Sequence, residues 1–282
     1  MSLKFIPAIF KSHFKCSSFK LSHRKCSSMH CNLEITEQNG IRRIVMNDPK
    51  TRNSLSKNMI LALTEAVTKD NTNTNLRCIV ISAKGPVFSA GHNLKELHSD
   101  KSCRCVFQDC SKLMMALVET PVPVIAAVDG IAAAGGCQLI AQCDITICTK
   151  RSTFSTPGAS VGIFCSTPGI PLARSVGRKT AAYMLFTGYS LTAEEAYNVG
   201  LVSRVTENDG LENEVNHITS AILEKSHAVI SLGKKFFYEQ VEMDLRSAYE
   251  KGGKVMLENL VHKDGAEGIK SFVEKRKPIW SC

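Results

Sequence analysis

Three short runs of β-branched and small apolar residues set the fold class: Cys78-Ile79-Val80-Ile81, Val122-Pro123-Val124-Ile125-Ala126-Ala127-Val128 and Ile145-Thr146-Ile147-Cys148. Each is too short for a buried helix and rich in residues that suit a pleated, packed surface. A helical stretch around residues 106–118 separates the first two, and strands spaced by helices of this length predict an α/β fold. Upstream, alternating residues on either side of Asn39-Gly40 predict a hairpin. Ser56 is expected to cap a helix through Asp70, with Met59, Ile60, Leu63 and Val67 at helical spacing. The last third changes character. Thr192-Ala193-Glu194-Glu195 is a capping-box start, and from Leu211 onward the pattern is helical with few strand signals. No internal repeat occurs, and no Walker or dinucleotide-type glycine pattern.

A chain of 282 residues can bury a core without disulfide or metal support. No apolar run approaches the roughly 20 residues needed to span a bilayer. The formal charge is +9, which raises the question of a nucleic-acid partner. Six basic residues (Lys4, Lys11, Lys15, Lys20, Arg24 and Lys25) precede the first acidic one, Glu34, leaving only +3 for the rest. The body is therefore no polyanion binder by charge, and RNA binding is set aside. Residues 1–31 are basic, serine-rich, free of acidic residues and only intermittently apolar, the pattern of a mitochondrial transit peptide, with a disordered basic tail as the alternative. The 12 cysteines are irregularly spaced, and several sit inside apolar segments, as reduced core thiols do. Cys103, Cys105 and Cys110 cluster, but no second ligand pair at zinc-like spacing accompanies them, so no metal is expected.

Two segments place small residues directly after a buried strand, where backbone N–H groups can face a ligand. One is Val87-Phe88-Ser89-Ala90-Gly91-His92-Asn93-Leu94. The other is Asp129-Gly130-Ile131-Ala132-Ala133-Ala134-Gly135-Gly136-Cys137-Gln138-Leu139. Taken singly, each also reads as an ordinary strand-to-helix turn.

In this order and at this separation the two segments resemble the crotonase (enoyl-CoA hydratase/isomerase) superfamily of acyl-CoA enzymes. Asp48-Pro49-Lys50-Thr51-Arg52-Asn53-Ser54-Leu55-Ser56 is similar to that family's N-terminal loop. Leu185-Phe186-Thr187-Gly188 and Glu267-Gly268-Ile269-Lys270-Ser271-Phe272 match it downstream. The resemblance implies a spiral of ββα units over residues 32–210, followed by a helical trimerisation region over residues 211–282. It also implies homotrimers or homohexamers, a mitochondrial matrix location and a place in fatty-acid metabolism. Coenzyme A would enter only as part of an acyl-CoA thioester, with no separate cofactor. By position, the backbone N–H groups of His92 and Gly135 would form an oxyanion hole for the thioester carbonyl. Arg52, Ala90, Asn93, Leu94 and Lys95 would line the CoA part. The His92 side chain is either a loop histidine lending only its N–H or an acid/base group. Lys275, Arg276 and Lys277 read as a solvated charge run, with a CoA phosphate as the alternative partner.

Two departures from the family pattern bear on the chemistry. Hydratases of this family add water with two glutamates. The first position holds Gln138, and Phe154-Ser155-Thr156-Pro157 is followed by Gly158 where the second belongs. An amide orients water but cannot take its proton, so ordinary hydration is not expected. Replacement bases to be weighed are His92, Glu96 and the Ser166 and Thr167 hydroxyls. The alternative is a catalytically inactive acyl-CoA-binding protein. Asp144 is expected to satisfy backbone donors at a helix-to-strand junction rather than to act in catalysis.

Overall fold

Asn39 and Gly40 both adopt positive φ, 52° and 78°, which a two-residue hairpin turn demands. They join β1 (Leu33–Gln38) to β2 (Ile41–Met46) in an antiparallel pair. The structure, a computed structural model, describes residues 32–97 and 100–281; the leader assigned to residues 1–31 lies outside them. After α1 (Lys57–Thr68), the chain repeats one unit three times: β3 (Cys78–Ala83), β4 (Val87–Ser89) and α2 (Asp100–Glu119); β5 (Val124–Val128), β6 (Ile131–Ala133) and α3 (Gly135–Gln142); β7 (Ile145–Thr149), β8 (Thr153–Ser155) and α4 (Ser166–Ser175). Then come α5 (Arg178–Thr187), β9 (Leu191–Thr192), α6 (Ala193–Asn198) and β10 (Arg204–Thr206), and four helices close the chain: α7 (Leu211–Leu223), α8 (His227–Gln240), α9 (Leu245–Val261) and α10 (Lys263–Val273).

In every repeat the first strand joins a six-stranded sheet, ordered β1-β2-β3-β5-β7-β10. The second joins a four-stranded sheet, ordered β4-β6-β8-β9. Only the β1–β2 and β8–β9 pairs are antiparallel. This is the expected spiral of ββα units.

The large sheet is covered on both faces, which explains its near-continuous apolar strands. Ile79 and Ile81 of β3, with Val124, Ala126 and Val128 of β5, pack with Phe88 and Phe154 of the small sheet and with α1 to α3. The alternate residues Val80, Ile125, Ala127 and Ile147 are covered by Val215, Ile218 and Ile222 of α7. The small sheet carries no signal in the residues themselves; only the family resemblance implies a second strand in each unit. Its strands are two or three residues long, and the stretches holding β4 and β6 read as strand-to-helix turns. Such strands carry no alternation to detect, and each pairs only with other short strands distant in the sequence. β5 begins at Val124 rather than Val122, because Pro123 has no N–H to pair. α1 ends at Thr68, since Asp70 takes a positive φ of 50°.

Asp144 performs the structural duty expected of it. Its Oδ2 accepts from Val124 N at 2.6 Å and from Lys234 Nζ at 2.7 Å, and its Oδ1 accepts from Tyr238 OH at 2.8 Å. Lys234 Nζ also donates to the Leu117 and Val122 carbonyls, both at 2.9 Å. A buried ammonium thus ties α8 to the core. Burial holds the Lys234 pKa below the usual lysine range, against the pull of Asp144. The Asp144→Ala substitution leaves Lys234 buried without its counter-ion and is expected to cost about 3–5 kcal/mol in urea unfolding. A loss below about 1 kcal/mol would show that this hub does not hold α8 in place.

Candidate active site

Asn53 builds the floor of the site. It is fully buried at φ 50°, and its Oδ1 accepts from Asp48 N at 2.8 Å. Its Nδ2 donates to the Lys84 and Val87 carbonyls at 2.9 and 2.7 Å, binding the loop before α1 to the β3–β4 connection. Ser89 Oγ donates to the Asn53 carbonyl at 2.8 Å and accepts from Gly91 N at 3.2 Å. Ala90 N donates to the Arg52 carbonyl at 3.0 Å, and Leu55 N to the Gly91 carbonyl at 2.8 Å. Leu55 and His92 therefore form an isolated parallel bridge, and because alternate residues of a strand point their N–H groups to opposite sides, His92 N faces away from Leu55.

The two glycine-bearing turns meet backbone to backbone. A Cβ on Gly91, which sits at φ 87°, would lie 2.7 Å from Gly135 N. One on Gly136 would lie 2.3 Å from the Ser89 carbonyl oxygen, and one on Gly135 would lie 3.5 Å from His92 N. Only glycine permits this approach. Ala134, at φ 50° and ψ −115°, makes the turn into α3 and is held by its N–H donating to the Ser155 carbonyl at 2.9 Å. Gly135 is the first residue of α3, so its N–H has no partner inside the helix. The structure thus brings together the two donors expected from the sequence, His92 N and Gly135 N. It sets Arg52, Ala90, Asn93, Leu94 and Lys95 along the same edge, with Arg52, Leu94 and Lys95 exposed.

Polar side chains of the neighbouring segments carry buried oxygens that lack hydrogen-bond partners, Gln138 Oε1 and Thr156 Oγ1. The His92 ring stands edge-on to Phe107, with centroids 5.3 Å apart. Burial holds its pKa below the ordinary histidine value; the Leu55 backbone and Glu96 act in the opposite sense. Gln138 is 3% exposed and Thr156 0%. Thr156 escaped the sequence reading, because a threonine before a proline carries no signal of burial. At Gly158 there is no space for a side chain. A Cβ there would sit 2.1 Å from the Ile163 carbonyl oxygen and 2.7 Å from Cys165 Sγ.

Glu96 is engaged elsewhere: it accepts from Lys57 N at 2.7 Å and so caps α1. Ser166 is exposed, and its hydroxyl reaches only the Phe164 carbonyl. Arg276 is paired with Glu267 and Glu274 rather than being a bare solvated charge. Cys78, Cys110, Cys137, Cys143 and Cys148 are buried free thiols, and burial pushes the Cys110 and Cys137 thiols up to about 12.

Repeated ββα units with two glycine-bearing turns meeting at the head of α3 are the architecture of the crotonase class. The enoyl-CoA hydratase/isomerase family model matches residues 36–282, and the chain belongs to that family. It is 47% identical to enoyl-CoA hydratase domain-containing protein 3, mitochondrial, of Xenopus laevis, over 96% of this chain and 91% of that one. The Homo sapiens protein of the same name is 49% identical, over 86% and 81%. The crystal structure of human enoyl Coenzyme A hydratase domain-containing protein 3 superposes with a TM-score of 0.87 at 47% identity, covering 88% of this chain and all of that one. The mitochondrial names of these relatives agree with the location expected from the leader. Among the described residues no helix is long and apolar enough to cross a membrane.

Burial lowers the pKa of two histidines, His92 and His227. Each then binds its proton more readily when unfolded, so stability is full above about pH 6.5 and declines as pH falls through that value. The decline is complete only below the folded-state pKa values. Unfolding midpoints measured from pH 8 to 5 should fall, and less steeply in His92→Gln. A flat profile, or an equal slope in the variant, would show that the His92 ring is not held neutral by the fold.

Proposed function

We propose that the chain binds an acyl-CoA thioester with its carbonyl oxygen between His92 N and Gly135 N, and that it serves mitochondrial fatty-acid metabolism without being an ordinary enoyl-CoA hydratase. The carrying observation is the pairing of an intact donor site with a sterically closed Gly158. Two N–H groups aimed at one oxygen stabilise enolate-like charge, each worth about 3–4 kcal/mol in a comparable site. Hydration needs in addition a group to take a proton and one to return it. Gln138 cannot accept that proton, and the Ile163 carbonyl fills the space a glutamate at position 158 would need. Of the candidate bases, His92 lies on the donor loop itself, and burial lowers its pKa.

The closed position also favours a second reading, thioester binding without turnover. One experiment separates the two: leader-free protein is titrated with crotonyl-CoA by calorimetry and assayed for hydration on the same sample, then for turnover of saturated, hydroxylated and malonyl-type thioesters. Binding with turnover of one thioester class supports an enzyme, and binding with none supports the second reading. Failure to bind any thioester contradicts both.

Gly158→Glu is expected to restore no hydration and to lower stability by more than about 2 kcal/mol, since the new Cβ must displace Ile163 and Cys165. A stable Gly158→Glu protein that gains hydratase activity would refute this account of the pocket.

The proposal extends to assembly through residues 211–282 as a trimer or a pair of trimers. In support, Leu245, Tyr249, Val261 and Phe272 of α9 and α10 are each at least 75% exposed, more apolar surface than a monomer ordinarily leaves in water.

A further inference from the structure

We infer that Ser89 is a positioning residue: its hydroxyl aims the His92 N–H, so that polarisation of a bound thioester carbonyl depends on a side chain buried within the fold. This role presupposes that the carbonyl docks at His92 N and Gly135 N, as proposed above.

His92 N shares a peptide plane with the Gly91 carbonyl. A planar, trans peptide points its N–H and its C=O in opposite directions, so whatever fixes Gly91 also fixes the direction of the donor. Gly91 sits at φ 87° and has no side chain to restrain its backbone. It is held instead by a hydrogen bond at each end. Leu55 N donates to its carbonyl at 2.8 Å, a backbone bond that does not depend on the Leu55 side chain. Its own N–H donates to Ser89 Oγ at 3.2 Å, and that hydroxyl donates in turn to the Asn53 carbonyl at 2.8 Å. Ser89 is 0% exposed, so bulk water cannot take over either bond.

Ser89 also abuts the second glycine-bearing turn. A Cβ on Gly136 would lie 2.3 Å from the Ser89 carbonyl oxygen and 2.8 Å from the Ser89 Cβ. The residue that anchors Gly91 is thus packed against the first turn of α3, whose leading residue is Gly135. Its bond to Asn53, beside the bond from Ala90 N to the Arg52 carbonyl at 3.0 Å, further ties the donor loop to the stretch before α1. Removing the hydroxyl strands two buried groups, the Gly91 N–H and the Asn53 carbonyl, and returns to Gly91 the freedom that the bond took away. Arg52, Leu94 and Lys95 on the exposed edge are untouched by that change. The loss should therefore fall on the acyl carbonyl and spare the CoA part.

The test is isotope-edited infrared spectroscopy of butyryl-CoA labelled with carbon-13 at the thioester carbonyl, bound at saturation to wild type, Ser89→Cys and Ser89→Ala. Calorimetric affinities for butyryl-CoA and for CoA itself are measured on the same preparations. The downward shift of the carbonyl band should be largest in wild type, smaller in Ser89→Cys, whose thiol is a weak donor and acceptor, and smallest in Ser89→Ala. Ser89→Ala should bind butyryl-CoA about tenfold more weakly, while its affinity for CoA changes less than about threefold. A Ser89→Ala protein with the full wild-type shift would overturn the inference while leaving carbonyl docking intact. Equal losses of affinity for CoA and butyryl-CoA would overturn it too, by reducing Ser89 to a general support of the fold. An unshifted band in wild type would instead remove the docking that this role presupposes. Should Ser89→Ala fail to fold, Ser89→Cys decides: a full wild-type shift there overturns the inference, and a reduced one upholds it.

Discussion

Backbone packs directly on backbone where Gly91 meets Gly135 and where Gly136 meets Ser89, and the candidate site exists only because of this approach. A single methyl on Gly91 would fall within 2.7 Å of Gly135 N and would push apart the two N–H groups proposed to hold the thioester carbonyl. Glycine is flexible, so the surroundings must remove the freedom that glycine adds. Asn53 does so on one side, with one hydrogen bond inside the loop before α1 and two that lock that loop to the β3–β4 connection. On the other side, Ala134 occupies an unfavourable backbone region, of a kind that costs about 1–3 kcal/mol. Its N–H bond to Ser155 and the burial of α3 against β4 and β6 hold it there. The small sheet therefore positions the site as well as filling the core: β4 delivers Gly91, β6 delivers Ala134 and β8 delivers Ser155.

The same close packing underlies the proposed departure from ordinary hydration. At Gly158 the chain from Ile163 to Cys165 folds back over the position, with Gly158 N donating to Cys165 Sγ at 3.3 Å. A pocket that bound water between two carboxylates would need that volume open. Gln138 and Thr156, uncharged polar residues on the neighbouring segments, are buried close to this packing. The C-terminal helices stand apart from this chemistry. They are fixed by the Lys234–Asp144 hub and by Trp280, whose ring N–H donates to the Glu224 carbonyl at 2.7 Å.

Much of this was legible in the sequence, for identifiable reasons. The long strands announce themselves as β-branched runs because both faces of the large sheet are covered. Asn39-Gly40, Ser56 and Thr192 act locally, so their turn and caps appear as read, with Ser56 accepting from Met59 N and Thr192 closing a capping box. His92 and Gly135 follow from the family's motif spacing. The small sheet is not legible, because strands of two or three residues take their register from distant neighbours. Nor are the burial of Thr156 and the engagement of Glu96 at the start of α1. Both depend on where the chain returns after dozens of residues, and neither leaves a local signal. Arg276 shows the same limit, reading as a solvated charge when it is spent on Glu267 and Glu274.

The central claim is that His92 N and Gly135 N hold and polarise a thioester carbonyl. Its most direct test is isotope-edited infrared spectroscopy of butyryl-CoA labelled with carbon-13 at the thioester carbonyl, free and bound at saturation. Two aligned N–H donors withdraw electron density from the C=O bond, so the band should move to lower frequency on binding and sharpen as its environment becomes uniform. An unshifted, broad band from fully bound ligand would mean that the carbonyl does not lie between these donors, and the account of the site would be wrong.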